Sequence, residues 1–214
     1  MKKKLPIHVA GLFFGLAGMV FLLIYLTDQY ILTVNFYDKS DQPVSGIPEQ
    51  AAGLYEVIKR WVYLFAGIFL MARIFLTALI INTALYFRRV IVPFKKLLCC
   101  VIIADYIFLL PAALKIILFK FYFPNGNLSN WHHYFPLSLL SLFPQSPAFL
   151  IYPLQVLNIF EVIYWFLLAY GVGLISRKGF DWALSGIMVS YVPALTIWVT
   201  LVTFLTLLFF PQAG

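Results

Sequence analysis

Charge is scarce in this chain. Only 11% of its 214 residues are Asp, Glu, Lys or Arg, whereas soluble domains carry about 25%. That shortage excludes an ordinary water-soluble globule, which could not cover its surface with so few polar groups. Cysteine is almost absent: Cys99 and Cys100 are the only two, and adjacent residues cannot build a disulfide framework. No P-loop, no GxGxxG after a strand and no HExxH occurs, and no Cys or His cluster stands at metal-ligand spacing. Nucleotide-driven and zincin chemistry therefore lack apparatus, and neither a cofactor nor a metal is expected. Ser185, Ser190 and Tyr191 have no histidine beside them in any apolar run, His8 being near one end, so an enzyme is not expected either.

Apolar side chains fill the space that charge leaves. Hydrophobic residues make up 63% and aromatic residues 19%, with a mean hydropathy of +0.94. A hydrocarbon layer about 30 Å thick takes roughly 20 apolar residues of helix. Five such runs occur, at about 7–26, 61–87, 97–119, 149–175 and 183–210. They are uniformly apolar rather than alternating, which favours helices over a barrel. The expected fold is all-α, a single integral membrane domain over 1–214, a transmembrane bundle of five helices joined by outer loops 28–60 and 120–148.

Fifteen Lys and Arg against eight Asp and Glu give a net charge of +7, a balance that in a soluble protein would suggest nucleic acid. Here the basic residues sit in short clusters. Lys2 to Lys4, Arg88, Arg89, Lys95, Lys96, Arg177 and Lys178 all fall on one side of a five-span arrangement. The positive-inside rule then puts the N-terminus in the cytoplasm and the C-terminus outside. No nucleic-acid partner is expected; the partners are the lipid bilayer and a membrane protein or second copy of the chain. KKK before an apolar run also resembles a secretory signal, but no small-x-small cleavage site precedes Asp28, so an uncleaved anchor is expected.

The first outer loop passes from the strand-like ILTVNFYD through KSDQPVSGIPEQ to the amphipathic AAGLYEVIKR, read as a helical extension of the second span. The second is rich in aromatics and proline. Trp131, His132, His133 and Tyr134 suit the membrane interface, and LSLLSLF suits either the headgroup layer or a short re-entrant dip. Adjacent histidines make a poor chelate, and Asn127-Leu128-Ser129 is a glycosylation sequon.

Four charged residues lie where hydrocarbon should be: Arg73, Asp105, Lys115 and Glu161. Each costs about 2.5–3.5 kcal/mol at a helix centre and so should face the bundle interior, water or a partner. At about 1.5 Å per residue, Arg73 and Glu161 lie about 20 and 21 Å from the basic ends of their spans, and Asp105 about 12 Å. Matching depth predicts an Arg73–Glu161 ion pair, with Asp105 as a second acceptor and Asn158 hydrogen-bonding one turn before Glu161. Glu161→Gln should then leave Arg73 destabilised. Lys115 is expected to snorkel outward. Prolines 111, 153 and 193 fall within spans, where each frees a carbonyl. Small residues at Gly171, Gly173, Ala183, Ser185, Gly186 and Ser190 suggest a tight hairpin of spans four and five.

The strings YPLQVLNIFEVIYWFLLAYG and SYVPALTIWVTLVTFL, with short basic turns, resemble small Yip1-like multispan proteins of Bacteroidota. The resemblance covers roughly spans two to five and brings no catalytic signature. It implies a bacterial inner (cytoplasmic) membrane protein that organises partners or lipid. The small-GTPase adaptor role of eukaryotic members does not carry over, because LPIHVA follows the first lysines directly. Together these features point first to a non-enzymatic scaffold or accessory subunit. The alternative is a transporter or channel component using the intramembrane charges.

Overall fold

The computed structural model describes residues 9–32, 49–124, 126, 128–143 and 146–209. Lys2 to Lys4, His8, the part of the first outer loop at 33–48 and Asn127 of the sequon lie outside them. Among the described residues the chain is all helical: α1 (Val9–Tyr30), α2 (Glu49–Phe87), α3 (Phe94–Asp105), a 3-10 turn (Tyr106–Phe108), α4 (Leu109–Tyr122), α5 (Leu128–His133), a second 3-10 turn (Leu139–Leu142), α6 (Ala148–Val156), α7 (Ile159–Ser176) and α8 (Phe180–Phe209). Five segments are long and apolar enough to cross a membrane: Val9–Tyr30, Trp61–Phe87, Phe94–Tyr122, Ile159–Ser176 and Phe180–Phe209. This is an integral membrane protein built as a helical bundle.

The packing pattern accounts for the uniform hydropathy. On α2, Ile74, Ala78, Ile81 and Leu85 recur at helical spacing and are buried, while Phe69, Phe75, Leu76 and Leu79 on the other faces are exposed. Both faces are apolar because one meets protein and the other meets lipid. The inner stripes of α1, α2, α3, α7 and α8 share one core around Leu97, Val101, Tyr164, Leu168 and Ile187. α2 is continuous from Glu49, so AAGLYEVIKR does extend the second span.

Two spans depart from straight helices. The third begins at Phe94, behind Pro93, whose φ of −60° and ψ of 123° fit the extended cap position. It tightens into a 3-10 turn at Tyr106–Phe108. Pro111 has no N–H for the carbonyl of Ile107 inside that turn, and the tighter winding absorbs the loss. The run 149–175, expected as one helix, forms two, and only the second is long enough to cross. α6 ends at Val156, Leu157 and Asn158 are non-helical, and α7 starts at Ile159. Pro153 therefore lies well inside α6 rather than at the start of a long span.

The break at the outer end of the fourth span frees backbone groups that need partners. Asn158 satisfies several of them. Its Oδ1 accepts from the Glu161 amide at 2.8 Å, and its Nδ2 donates to the carbonyls of Gln155 and Val156 at 3.0 and 3.1 Å. One side chain thus caps the start of α7 and the end of α6. The second outer loop supplies the rest: Leu139 N donates to Leu157 O at 2.9 Å and Ile159 N to Leu137 O at 3.2 Å, forming an antiparallel bridge between Ser138 and Asn158. Within LSLLSLF, Leu140 is fully buried against the protein, while Leu137, Leu142 and Phe143 are exposed.

α7 and α8 form the most closely packed pair, as the hairpin expectation had it. The small residues serve it differently from that expectation. A Cβ on Gly173 would sit 2.8 Å from the Gly179 carbonyl in the connecting turn, whereas one on Gly171 would run into Cys100 of α3. Gly186 makes room for Arg88, whose Nη1 donates to Trp182 O at 2.8 Å and Nη2 to Ser185 Oγ at 3.1 Å. Gly171→Ala should destabilise the protein by about 1–3 kcal/mol. Because the obstacle is a side chain, Cys100→Ala in the same molecule should restore most of the loss. A double-mutant cycle on unfolding midpoints in detergent measures that coupling, and strict additivity would contradict the contact.

Candidate functional site

The break between α6 and α7, the 3-10 turn in span three and the second outer loop meet around one half-open cleft of about 340 Å³. Arg73 enters from α2, Lys115 from α4, Asn158 and Glu161 from the break, with Gln155 and Tyr152 of α6 beside them. Phe108, Pro111, Val156, Phe135 and Pro136 supply apolar wall. By helical rise from the basic ends, Arg73 and Glu161 lie at about 21–22 Å and Asn158 at about 27 Å, in the outer half of a 30 Å layer.

The expected ion pair is corrected. Arg73 Nη2 contacts Asp105 Oδ2 at 2.8 Å, not Glu161. The physical reason is the start of span three: counted from Phe94, Asp105 lies about 16 Å in, and the remaining offset of about 5 Å is within reach of a guanidinium side chain. The Arg73 carbon lies 4.2 Å from the Phe108 ring centroid. The pair is close but not aligned as a hydrogen bond. Asp105 Oδ1 and Oδ2 and Tyr164 Oη are buried with no hydrogen-bond partner among the described residues.

Glu161 has neutral partners instead. Its Oε1 accepts from Tyr191 Oη at 2.9 Å and from Trp165 Nε1 at 3.0 Å. Trp165 stands one turn along α7, so that partner is foreshadowed by i, i+4 spacing; Tyr191, across on α8, leaves no sequence signal. Asn158 bonds the Glu161 backbone, as a cap, rather than its carboxylate.

Lys115 does not snorkel outward. Its Nζ lies 3.5 Å from the Phe135 centroid and 4.3 Å from that of Trp131. An ammonium between two ring faces is held by their quadrupoles, worth about 2 kcal/mol when desolvated. Trp131 also packs edge-on against Phe119, with Tyr134 against Phe123, so the interfacial aromatics form a cover over this end of α4.

Among the interfacial residues, partial burial, then the Lys115 ammonium and His133, lower the His132 pKa. Folded protein thus takes up this proton at lower pH than the unfolded chain, whose histidine titrates near 6.5. Stability should be full above about pH 7 and fall as the pH drops through that window. An NMR titration should give His132 a midpoint below 6.5, and His132→Gln should flatten part of the acid-side slope; an elevated midpoint would contradict its partial burial near the Lys115 charge.

Four of the five intramembrane residues predicted from sequence, Arg73, Lys115, Asn158 and Glu161, line the same cleft, and Asp105 stands behind it on Arg73. Sequence reasoning missed Gln155, Tyr152 and Ser138 in the lining. No group of three or more His, Cys, Asp or Glu that could hold a metal occurs among the described residues. Comparison of the chain with protein-family models, curated proteins and solved structures finds no match, so the site's own chemistry carries the functional argument.

Proposed function

We propose that the protein is a transporter or channel component that binds a small ligand in this intramembrane cleft, in preference to the scaffold role that composition alone favours. The supporting observation is the convergence of Arg73, Lys115, Asn158 and Glu161 on one cleft at a broken helix. Charges this deep carry a cost that a packing surface has no need to bear. A helix broken beside a polar cleft is a pattern that accompanies solute sites. No step of covalent chemistry is assigned.

Accessibility tests the proposal. In a Cys99→Ala, Cys100→Ala background, Ala112→Cys and Gln155→Cys, which line the cleft, should react with a membrane-impermeant charged thiol reagent added from the side opposite the basic turns. Ala72→Cys and Leu76→Cys, on the outer faces of α2, should react much more slowly. Equal slowness at all four positions would return the protein to the scaffold class.

A further inference from the structure

We infer that the ligand of this cleft is an anionic single-chain amphiphile, its carboxylate or phosphate head received by Lys115 and Arg73; the inference rests on the intramembrane binding proposed above.

The charges in the cleft are unequally presented. Arg73 keeps 34% of its side chain exposed, while its partner Asp105 keeps none. Glu161 is 6% exposed, and its Oε1 already receives two hydrogen bonds. Asp105 is thus turned into protein and one oxygen of Glu161 is engaged by Tyr191 and Trp165, while Arg73 and Lys115 both line the cleft. The Lys115 ammonium has three N–H donors, yet its neighbours among the described residues are the ring faces of Phe135 and Trp131, with no hydrogen-bond acceptor and no carboxylate within ion-pair distance. An ammonium lining the cleft with its N–H donors uncommitted among the described residues can receive an anion. Arg73 spends one nitrogen on Asp105, which leaves further donors of the planar fork for a second oxygen.

An apolar tail follows from the walls. Phe108, Pro111 and Val156 run along the cleft between α4 and α6. Those two helices pack chiefly elsewhere, α4 on α1 and α6 on α8 and the second 3-10 turn, and the apolar wall between them suits an alkyl chain. A volume of about 340 Å³ lies at the low end of small-molecule sites, enough for one head and part of one chain.

The test uses the full chain in maltoside micelles, with dodecanoate and dodecyl phosphate as anionic probes. Dodecanol and dodecyltrimethylammonium share the chain but not the charge; acetate and inorganic phosphate share the charge but not the chain. The two dodecyl anions should raise the unfolding temperature by about 5 °C near saturation, and the four controls should leave it unchanged. Lys115→Gln should weaken dodecanoate binding about tenfold or more, and Lys115→Arg should largely retain it. Ala112→Trp, which fills the cleft without touching the ion pair, should block binding and serves if Lys115→Gln fails to fold. Equal stabilisation by dodecanol or by the cationic probe, or undiminished binding in Lys115→Gln, overturns the anionic head. Stabilisation by acetate or phosphate as large as by the dodecyl anions overturns the tail. Reactive cysteines at 112 and 155 without selective anion binding refute this ligand class while the binding role stands; sealed positions remove both.

Discussion

Asp105→Leu is expected to lower stability by about 3 kcal/mol, measured as a fall in the unfolding midpoint in mild detergent. Removing one member of a buried pair leaves the other charge uncompensated, which costs about 3–5 kcal/mol. The lower figure applies because Arg73 keeps 34% of its side chain exposed in the cleft and retains some hydration there. The double variant Arg73→Met, Asp105→Leu should recover most of the loss, since two apolar side chains of similar length replace two desolvated charges. Glu161→Gln is the control. An amide oxygen can still accept from Tyr191 and Trp165, so the cost should be about 1 kcal/mol or less. That ordering reverses the one expected when Arg73 is paired with Glu161 by depth alone. A Glu161→Gln variant less stable than Asp105→Leu would refute the pairing.

Gly173→Ala should be the most damaging of the glycine substitutions, at about 2–3 kcal/mol. Its Cβ would stand 2.8 Å from the carbonyl oxygen of Gly179, 3.0 Å from the carbonyl carbon and 3.3 Å from the Phe180 nitrogen. These are backbone atoms, and they cannot rotate aside as the Cys100 side chain can. The turn is already constrained, with Arg177 at φ 58° and Gly179 at φ 88°. The α7–α8 hairpin would have to open, and Cys100→Ala should give no rescue. Rescue by Cys100→Ala, or a midpoint equal to wild type, would show that the two helices do not approach as described.

The bundle was legible in the sequence because lipid imposes length. Runs of about 20 apolar residues closed by Arg88, Arg89 or by Arg177, Lys178 are the mark of helices that cross a bilayer and stop at its surface. The members of the site were legible for a related reason: a charge inside such a run is costly enough to mark itself. Their pairing was not, because a depth ruler is only as good as its origin, and moving the start of span three from 97 to 94 brings Asp105 to Arg73. The break at Leu157 and Asn158 was hidden by apolar residues on both sides. A signal was nevertheless present: Asn158-x-x-Glu161 has the spacing of a helix N-terminal capping motif, placed inside an apolar run. Contacts between distant spans, such as Tyr191 with Glu161 or Phe135 with Lys115, depend on helix rotation and loop path, which hydropathy does not encode.

The bridge between Ser138 and Asn158 has a consequence for biogenesis. Residues 137–139 precede the fourth crossing in the chain, yet the backbone groups at 157 and 159 that they satisfy belong to it. When the ribosome has delivered the loop but not the crossing, neither edge has its mate. The loop can therefore settle only after residues 157–159 have been delivered, which makes its docking a late step in assembling the protein.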